Sequence, residues 1–344
     1  MKWYNASLRV GTLAVLVAML LRFALSGALG NAWDLFSQPQ LASFLIYSET
    51  GRTPTATTED ATDSPTQPAQ TEPLPTEPTP TEPKPIVPIE VVKPTFSAAD
   101  TQLFSLTYTF NISSKPNAKT LLTQKLNWNL ADDAPTVLII HSHATEAYTK
   151  TADSQYDNFA AYRTLDEHYN MVSIGEELAR LLEGQGIKVI HDKTAYDYLD
   201  YDNAYTKART SIQEHLKKYP SIKVVLDLHR DSAQNADGTQ WASKATVDGK
   251  DSAQLMLVVG TNGSGQPHPN WQTNLSIAEK LAVLMEREDP GVCRPIQVRY
   301  KHYNQDLCLG SLIVEVGSAG NTHQQALNAM PALADAIIAL SKGT

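Results

Sequence analysis

The chain has 344 residues, 42% of them hydrophobic, and a formal charge of −9. That length holds one large domain or two ordinary ones, and the apolar content supports a substantial core. The acidic balance excludes a general nucleic-acid binder, which needs clustered Lys and Arg; two cysteines, Cys293 and Cys308, exclude a disulfide scaffold or a zinc knuckle.

Lys2 and Arg9 precede "VGTLAVLVAMLLRFALSGALG", an apolar stretch long enough to cross a bilayer. Basic residues on its short leading side place that side in the cytoplasm, and Arg22 within it has to snorkel or pair. We read residues 1–30 as a cytoplasmic tail and uncleaved transmembrane anchor; a cleaved signal peptide is the competing reading. Either way the remainder is exported. Residues 31–50 form a juxtamembrane segment. Residues 51–94 are dominated by Thr, Pro and Glu and cannot bury enough surface to offset their ordering entropy. They are expected to be a disordered, semi-stiff spacer. Residues 95–133, with "LFSLTYTFNISS" and "KLNWNL", read as a prelude to the globular part.

From residue 134 strands and helices alternate. Strand candidates are Thr136–His141, Ile187–His191, Ile222–Leu228, Gln254–Gly260, Ile296–Tyr300 and Ser311–Val316. Between them, Met171, Ile174, Leu178, Leu181 and Leu182 recur at helical spacing before glycines end the run. Three further helical patterns lie in "YTKARTSIQEHLKKYP", "NWQTNLSIAEKLAVLMERE" and "HQQALNAMPALADAIIALSK". This alternation predicts a three-layer α/β fold over residues 134–344: a mostly parallel or mixed sheet with helices on both faces. Ligands of such sheets bind beyond the carboxyl ends of the strands.

Those ends carry the chemistry. The first strand closes in "HSHATE", the third in "DLHRDS", and the last, "GSLIVEVGS", holds Glu315 among apolar neighbours, an expensive place for an unpartnered carboxylate. Singly, each has a structural explanation; gathered at one rim, they compose a site. His143, Glu146 and His229 make the His₂Glu set of a catalytic zinc, with a position left for water. Glu315 is the proton acceptor beside it. Two choices stay open: His141 replaces His143 as ligand or supports it from behind, and Asp166 or Glu167 replaces Glu146. Arg230 has the planar fork for a substrate carboxylate or pairs with Asp227 or Asp231. Asn304, Gln305 and Asp306 are expected to line the cleft, with Asn304 and Gln305 as substrate-binding residues. Cys293 and Cys308 read as buried thiols, a single bridge being the alternative. His191, His215, His268 and His323 read as packing or surface residues.

The stretches "IIHSHATEAY", "NMVSIGEELARLLEGQGIKVIHD", "VVLDLHRDS", "LMLVVGTN" and "YNQDLCLGSLIVEVGSAGNT" resemble, in the same order, the stage II sporulation protein P family of endospore-forming bacteria. The resemblance covers residues 134–344. It implies a fold similar to zinc-dependent N-acetylmuramoyl-L-alanine amidases and a membrane-anchored peptidoglycan hydrolase of engulfment. Such a protein acts as amidase and endopeptidase between the mother-cell and forespore membranes, with stage II sporulation protein D and stage II sporulation protein M as partners. The chain departs from the amidase pattern in lacking Asp-Pro-Gly-His at the first strand, which leaves the ligand there open, and in carrying Cys308 where a small polar residue is expected. A zinc carboxypeptidase on stem peptides and a non-catalytic wall-binding module are the competing functions.

Overall fold

The structure, a computed structural model, describes residues 93–112 and 114–344. The expected anchor, juxtamembrane segment and nearly all of the spacer lie outside these residues. Among the described residues no helix is long and apolar enough to cross a membrane.

The six expected strands form and are joined by one more. In chain order the sheet elements are β1 (Leu106–Tyr108), β2 (Val137–Ile140), β3 (Val189–His191), β4 (Val224–Asp231), β7 (Leu255–Gly260), β8 (Ile296–Arg299) and β9 (Gly310–Ser318); β5 (Ala245–Val247) and β6 (Lys250–Ser252) form a separate hairpin. The helices are α1 (Ala118–Leu122), α2 (Met171–Gly184), α3 (Ala204–Lys218), α4 (Trp271–Glu288) and α5 (His323–Ala339). The seven strands lie in the order β1-β8-β7-β9-β4-β2-β3. Pairing is parallel throughout except between β7 and β9, which run antiparallel. The sheet is therefore mixed, two parallel halves meeting at one reversal.

The helices start and stop where local chemistry dictates. The Asn170 side chain accepts from Val172 N–H to cap α2, which then buries Met171, Ile174, Leu178 and Leu182. Beyond it Gly186 takes a positive φ that a side chain would resist. Thr322 and Gln325 cap each other's backbone at the start of α5.

Alternation along the buried strands divides the core. Val224, Leu226 and Leu228 join Val137 and Ile139 on the face covered by α2, α4 and α5. Val225 joins Leu138 and Ile140 on the opposite face, under Ala204, Ala208 and Ile212 of α3. Burying each such Leu, Ile or Val contributes about 1.5–3 kcal/mol. The α3 face is the thinner cover, and near β7 and β9 only Tyr205 and Tyr303 close over Met256, Val258 and Ile313.

Residues 95–133 are part of this body rather than a prelude to it. β1 extends the sheet by pairing with β8, while Leu121, Leu122 and Leu130 are buried. Ser276 Oγ on α4 donates to Leu121 O at 2.7 Å. The wrapping makes α4 buried nearly all round, Glu279 and Lys280 included.

Lys280 Nζ donates to Leu121 O at 3.0 Å and to Ser276 Oγ at 2.8 Å, while neither carboxylate oxygen of Glu279 has a partner. Burial pushes Glu279 up to about 8 against the pull of Lys280. The folded chain thus keeps a proton that the unfolded chain sheds near 4.5. Its stabilising share is complete below that pH and is lost as the pH climbs through about 8. Glu279→Gln escapes this loss. Thermal melts should show the Gln variant gaining on the wild type as pH rises from 4.5 to about 8; a constant offset between the two would contradict a buried neutral Glu279.

Candidate functional site

The site begins where β2 ends. Ser142 N–H and Oγ donate to Asp227 Oδ1 and Oδ2 on β4, at 2.7 and 2.5 Å, and this fastens the loop after β2 to the next strand. The loop then presents His143 and Glu146. Asp227 and His229, two residues apart on β4, share the α3 face with Val225. Register sets His229 opposite Glu315 on β9.

The structure brings four expected residues into one neighbourhood. The His143 and His229 rings meet edge to face at 5.4 Å. Glu146 Oε2 lies 3.5 Å from His229 Nδ1. His143 also stacks on Tyr201 at 4.4 Å and meets Tyr205 edge-on at 5.5 Å, while Tyr205 lies parallel to His229 at 6.1 Å.

Burial and charge set the protonation states. Burial would raise Glu146, but Arg230, His229 and His143 together outweigh it, and the carboxyl is held at about 2. Burial would lower His229, yet Asp227 and Glu146 outweigh it and keep the imidazole well above its ordinary value. His143 is lowered, by burial first and by His229 second. Glu315 is pushed up to about 7 by burial, with His229 opposing and Glu146 assisting. The neighbourhood is thus a buried cluster of opposed charges, Glu146 and Asp227 against Arg230, Arg163 and the imidazole of His229.

Three of its polar atoms make no hydrogen bond. His143 Nδ1, His229 Nε2 and Glu315 Oε2 are buried with no hydrogen-bond partner, an uncommon condition for polar atoms in a folded protein. His229 Nε2 lies 2.9 Å from Asp227 Oδ1, close enough for charge attraction but off the line of a hydrogen bond. Among the described residues no three His, Cys, Asp or Glu side chains are gathered into a ready-made ion cage; Glu146 is turned to His229 and to Arg230 N–H at 3.1 Å. Two imidazole nitrogens without hydrogen bonds beside an ionised carboxylate are nonetheless the donor types a divalent zinc takes, its binding releasing the proton of His229.

Other expected residues stand elsewhere. His141 lies on the α2 side of the sheet, its Nδ1 3.2 Å from Leu228 O and its Nε2 2.8 Å from His191 Nε2. Both nitrogens are occupied, which removes it as a ligand, and His191 is its partner rather than an isolated packing residue. A Cβ at Gly175 would fall 2.7 Å from His141 Nε2, so the pair depends on that glycine. Asp166 bonds its neighbour His168 and Glu167 is exposed, so neither joins Glu146.

Arg230 does not offer its fork to a substrate. Its Nε donates to Ala147 O and its Nη2 to Tyr162 O, both at 3.0 Å, with Nη1 3.6 Å from Glu146. The side chain braces the Glu146 loop from within. Asn304 and Gln305 are likewise buried and committed. Gln305 Oε1 accepts from Gly260 N–H at 2.8 Å and its Nε2 donates to Val258 O at 2.9 Å, while Asn304 Nδ2 donates to Tyr205 O at 2.8 Å. They fasten a loop to β7 and α3. Asn304 and Asp306 do line a cleft of about 400 Å³ with Arg209, His302 and Tyr205, and Gln305 does not. Both cysteines are free thiols, half-buried.

Sequence reasoning passed over three contributors and weighed a fourth, Asp227, only as a partner of Arg230. Asp227 was visible in principle, because a period-two reading puts it on the face of His229. Asp197, Arg163 and Tyr201 lie in the irregular connections before α2 and α3, where no periodicity marks them. Asp197 accepts from Thr145 Oγ1 and Arg163 Nη1, both at 2.5 Å, and Arg163 Nη2 reaches Glu146 at 3.3 Å.

A family model described as Stage II sporulation protein P matches residues 48–338. A Stage II sporulation protein P of Bacillus subtilis (strain 168) is 29% identical over 214 residues, covering 59% of this chain and 50% of that one. The chain thus spans about half the length of that curated relative. Among solved structures, the N-acetylmuramoyl-L-alanine amidase AmiC2 of Nostoc punctiforme shares 12% identity at a TM-score of 0.35, over 59% of this chain and 94% of that chain. The CwlD amidase from Clostridioides difficile, solved with the GerS lipoprotein, shares 13% at 0.34, over 59% and 96%. These are loose likenesses and transfer no residue.

Arg230→Met should leave Glu146 buried with its main counter-charge gone. Urea unfolding is expected to register a loss of about 3–5 kcal/mol. A loss within the range of an ordinary surface substitution would mean that Arg230 does not brace this loop.

Proposed function

The chain belongs to the stage II sporulation protein P family, and from that premise we propose that it is a peptidoglycan hydrolase of sporulation. Its activity is that of a zinc-dependent N-acetylmuramoyl-L-alanine amidase that also cleaves peptide cross-links as an endopeptidase. Residues 1–30 anchor it in the cell membrane with the N-terminus in the cytoplasm, and residues 51–94 hold the catalytic body away on the outer side, between the two membranes during engulfment. Peptidoglycan is the substrate, and stage II sporulation proteins D and M are the partners this reading carries.

The observation that carries it is the neighbourhood of His143, Glu146, His229 and Glu315, with three of its polar atoms buried and without a hydrogen bond. His143, Glu146 and His229 would hold the zinc. When bound, that ion supplies an acidified water and a polarised carbonyl. The protein's own groups do the rest. Arg230 and Arg163 keep Glu146 ionised at neutral pH. Asp227, tied to Ser142, steadies the imidazole of His229. Glu315, balanced at about 7, takes up a proton at Oε2 and gives it to the leaving amide nitrogen, the poise required of a group that acts as base and then acid. The commitment of Arg230 to Glu146 argues against the carboxypeptidase reading, which needs a free fork for a terminal carboxylate.

The test uses purified cell-wall sacculi and the full chain with and without a chelator. Intact stem peptides released in a chelator-sensitive manner are expected; single amino acids would favour carboxypeptidase action, and sedimentation with the wall without any release would favour a binding module. Glu315→Gln should retain metal and lose about 10²–10⁴-fold in turnover, whereas His229→Ala should lose both. Near-normal turnover by Glu315→Gln would remove Glu315 as the proton carrier.

A further inference from the structure

The connection between β3 and α3 reaches the mouth of the site as "YLDYDN", residues 198–203. Leu199 and Tyr201 are each 53% exposed, and on the facing loop Phe159 is 50% exposed. Phe159 meets Tyr198 edge to face at 5.3 Å, so the two loops form one surface. Exposed apolar side chains grouped in this way mark a contact surface.

The surface is built rather than slack. Asp197, at the base of the run, is buried and bonded to Thr145 and Arg163. The Arg163 guanidinium lies 4.8 Å from the Tyr201 ring. Leu199 adopts φ 64, a left-handed conformation that a leucine resists and that persists only where surroundings enforce it. Tyr201 is also contiguous with the chemistry, since its ring stacks on His143 at 4.4 Å.

The composition selects among occupants. Apolar faces alternate with Asp200, Asp202 and Asn203, and Asp200 is joined to Lys207 at 3.0 Å and to Asn203 at 2.9 Å. A pyranose ring has flat C–H faces for the rings and an equator of hydroxyls for the carboxylates and carboxamide. An anionic membrane would be repelled by the two aspartates. We propose that the run Tyr198–Asn203, with Phe159 opposite, is a saccharide-binding wall that seats the glycan strand beside the scissile amide. The wall deepens the hydrolase reading and rests on it for the sugar's role. It makes a sugar-linked amide a better substrate than a sugar-free peptide bond.

Calorimetric titration of the full chain with a soluble, peptide-free N-acetylated tetrasaccharide tests the binding directly. Wild type and Tyr201→Phe should bind saturably and within about threefold of each other, and Tyr201→Ala should bind about tenfold more weakly. In parallel, the ratio of kcat/KM for a disaccharide-peptide over a sugar-free peptide should fall about tenfold in Tyr201→Ala. Absence of saturable saccharide binding, equal binding by Tyr201→Ala, or Tyr201-dependent binding to anionic vesicles in its place would each overturn the wall. A chain that binds the saccharide but hydrolyses neither substrate would overturn the hydrolase reading and leave the wall standing.

Discussion

Two strands buried on both faces pair in register so that His229 of β4 meets Glu315 of β9. Everything at the site answers to that pairing. A carboxylate inserted between Val314 and Val316 has no bulk water to stabilise its charge, so it must stay neutral or face a cation. The imidazole beside it meets the second condition in part. Glu146 and Asp227 raise the proton affinity of that imidazole, and the resulting charge keeps Glu315 titratable near neutrality instead of permanently protonated.

The site is therefore an ordered set of charges. Glu146 is held ionised by two arginines that approach from different segments, Arg230 on β4 itself and Arg163 in the loop ahead of α2. The arginine next to His229 in sequence thus serves the Glu146 carboxylate. On the opposite side of the sheet, His141 and His191 share a hydrogen bond in an environment that lowers both below the physiological range, to about 4 and about 3. One strand end thereby sends its first histidine into the core and its second into the site, although only one residue lies between them. The chain leaves the strand at His141, and the turn through Ser142 swings His143 and Glu146 to the other face.

That turn explains how far the sequence could be read. Strands and long helices were legible because buried β-segments are continuous apolar runs and the helices carry a 3.6 period. Glu315 and His229 were legible because a polar group on such a strand stands out against its neighbours. The pairing of residues in loops was not. Asp197 and Arg163 lie in irregular connections, and nothing in their local pattern forecasts that both close around Thr145 and Glu146. Gln305 looked like a cleft residue because it is polar and precedes a strand, yet its amide satisfies backbone groups of β7 that would otherwise be buried unpaired, whereas Asn304 both lines a cleft and bonds the backbone of α3. The same accounting applies to β1: three residues without a strong pattern form a strand only because β8 offers an open edge.

The wrapping of α4 by the segment from Phe96 to Leu130 sets the minimum piece of this chain that can stand alone. A fragment begun at the first long strand would keep every group of the candidate centre yet bare the unpaired edge of β8 and an apolar flank containing Ile277 and Leu281. Uncovered edges and flanks of that kind recruit one another between molecules. Such a fragment would be chemically whole and colloidally unsound, and insoluble material from it would say nothing about its catalytic competence.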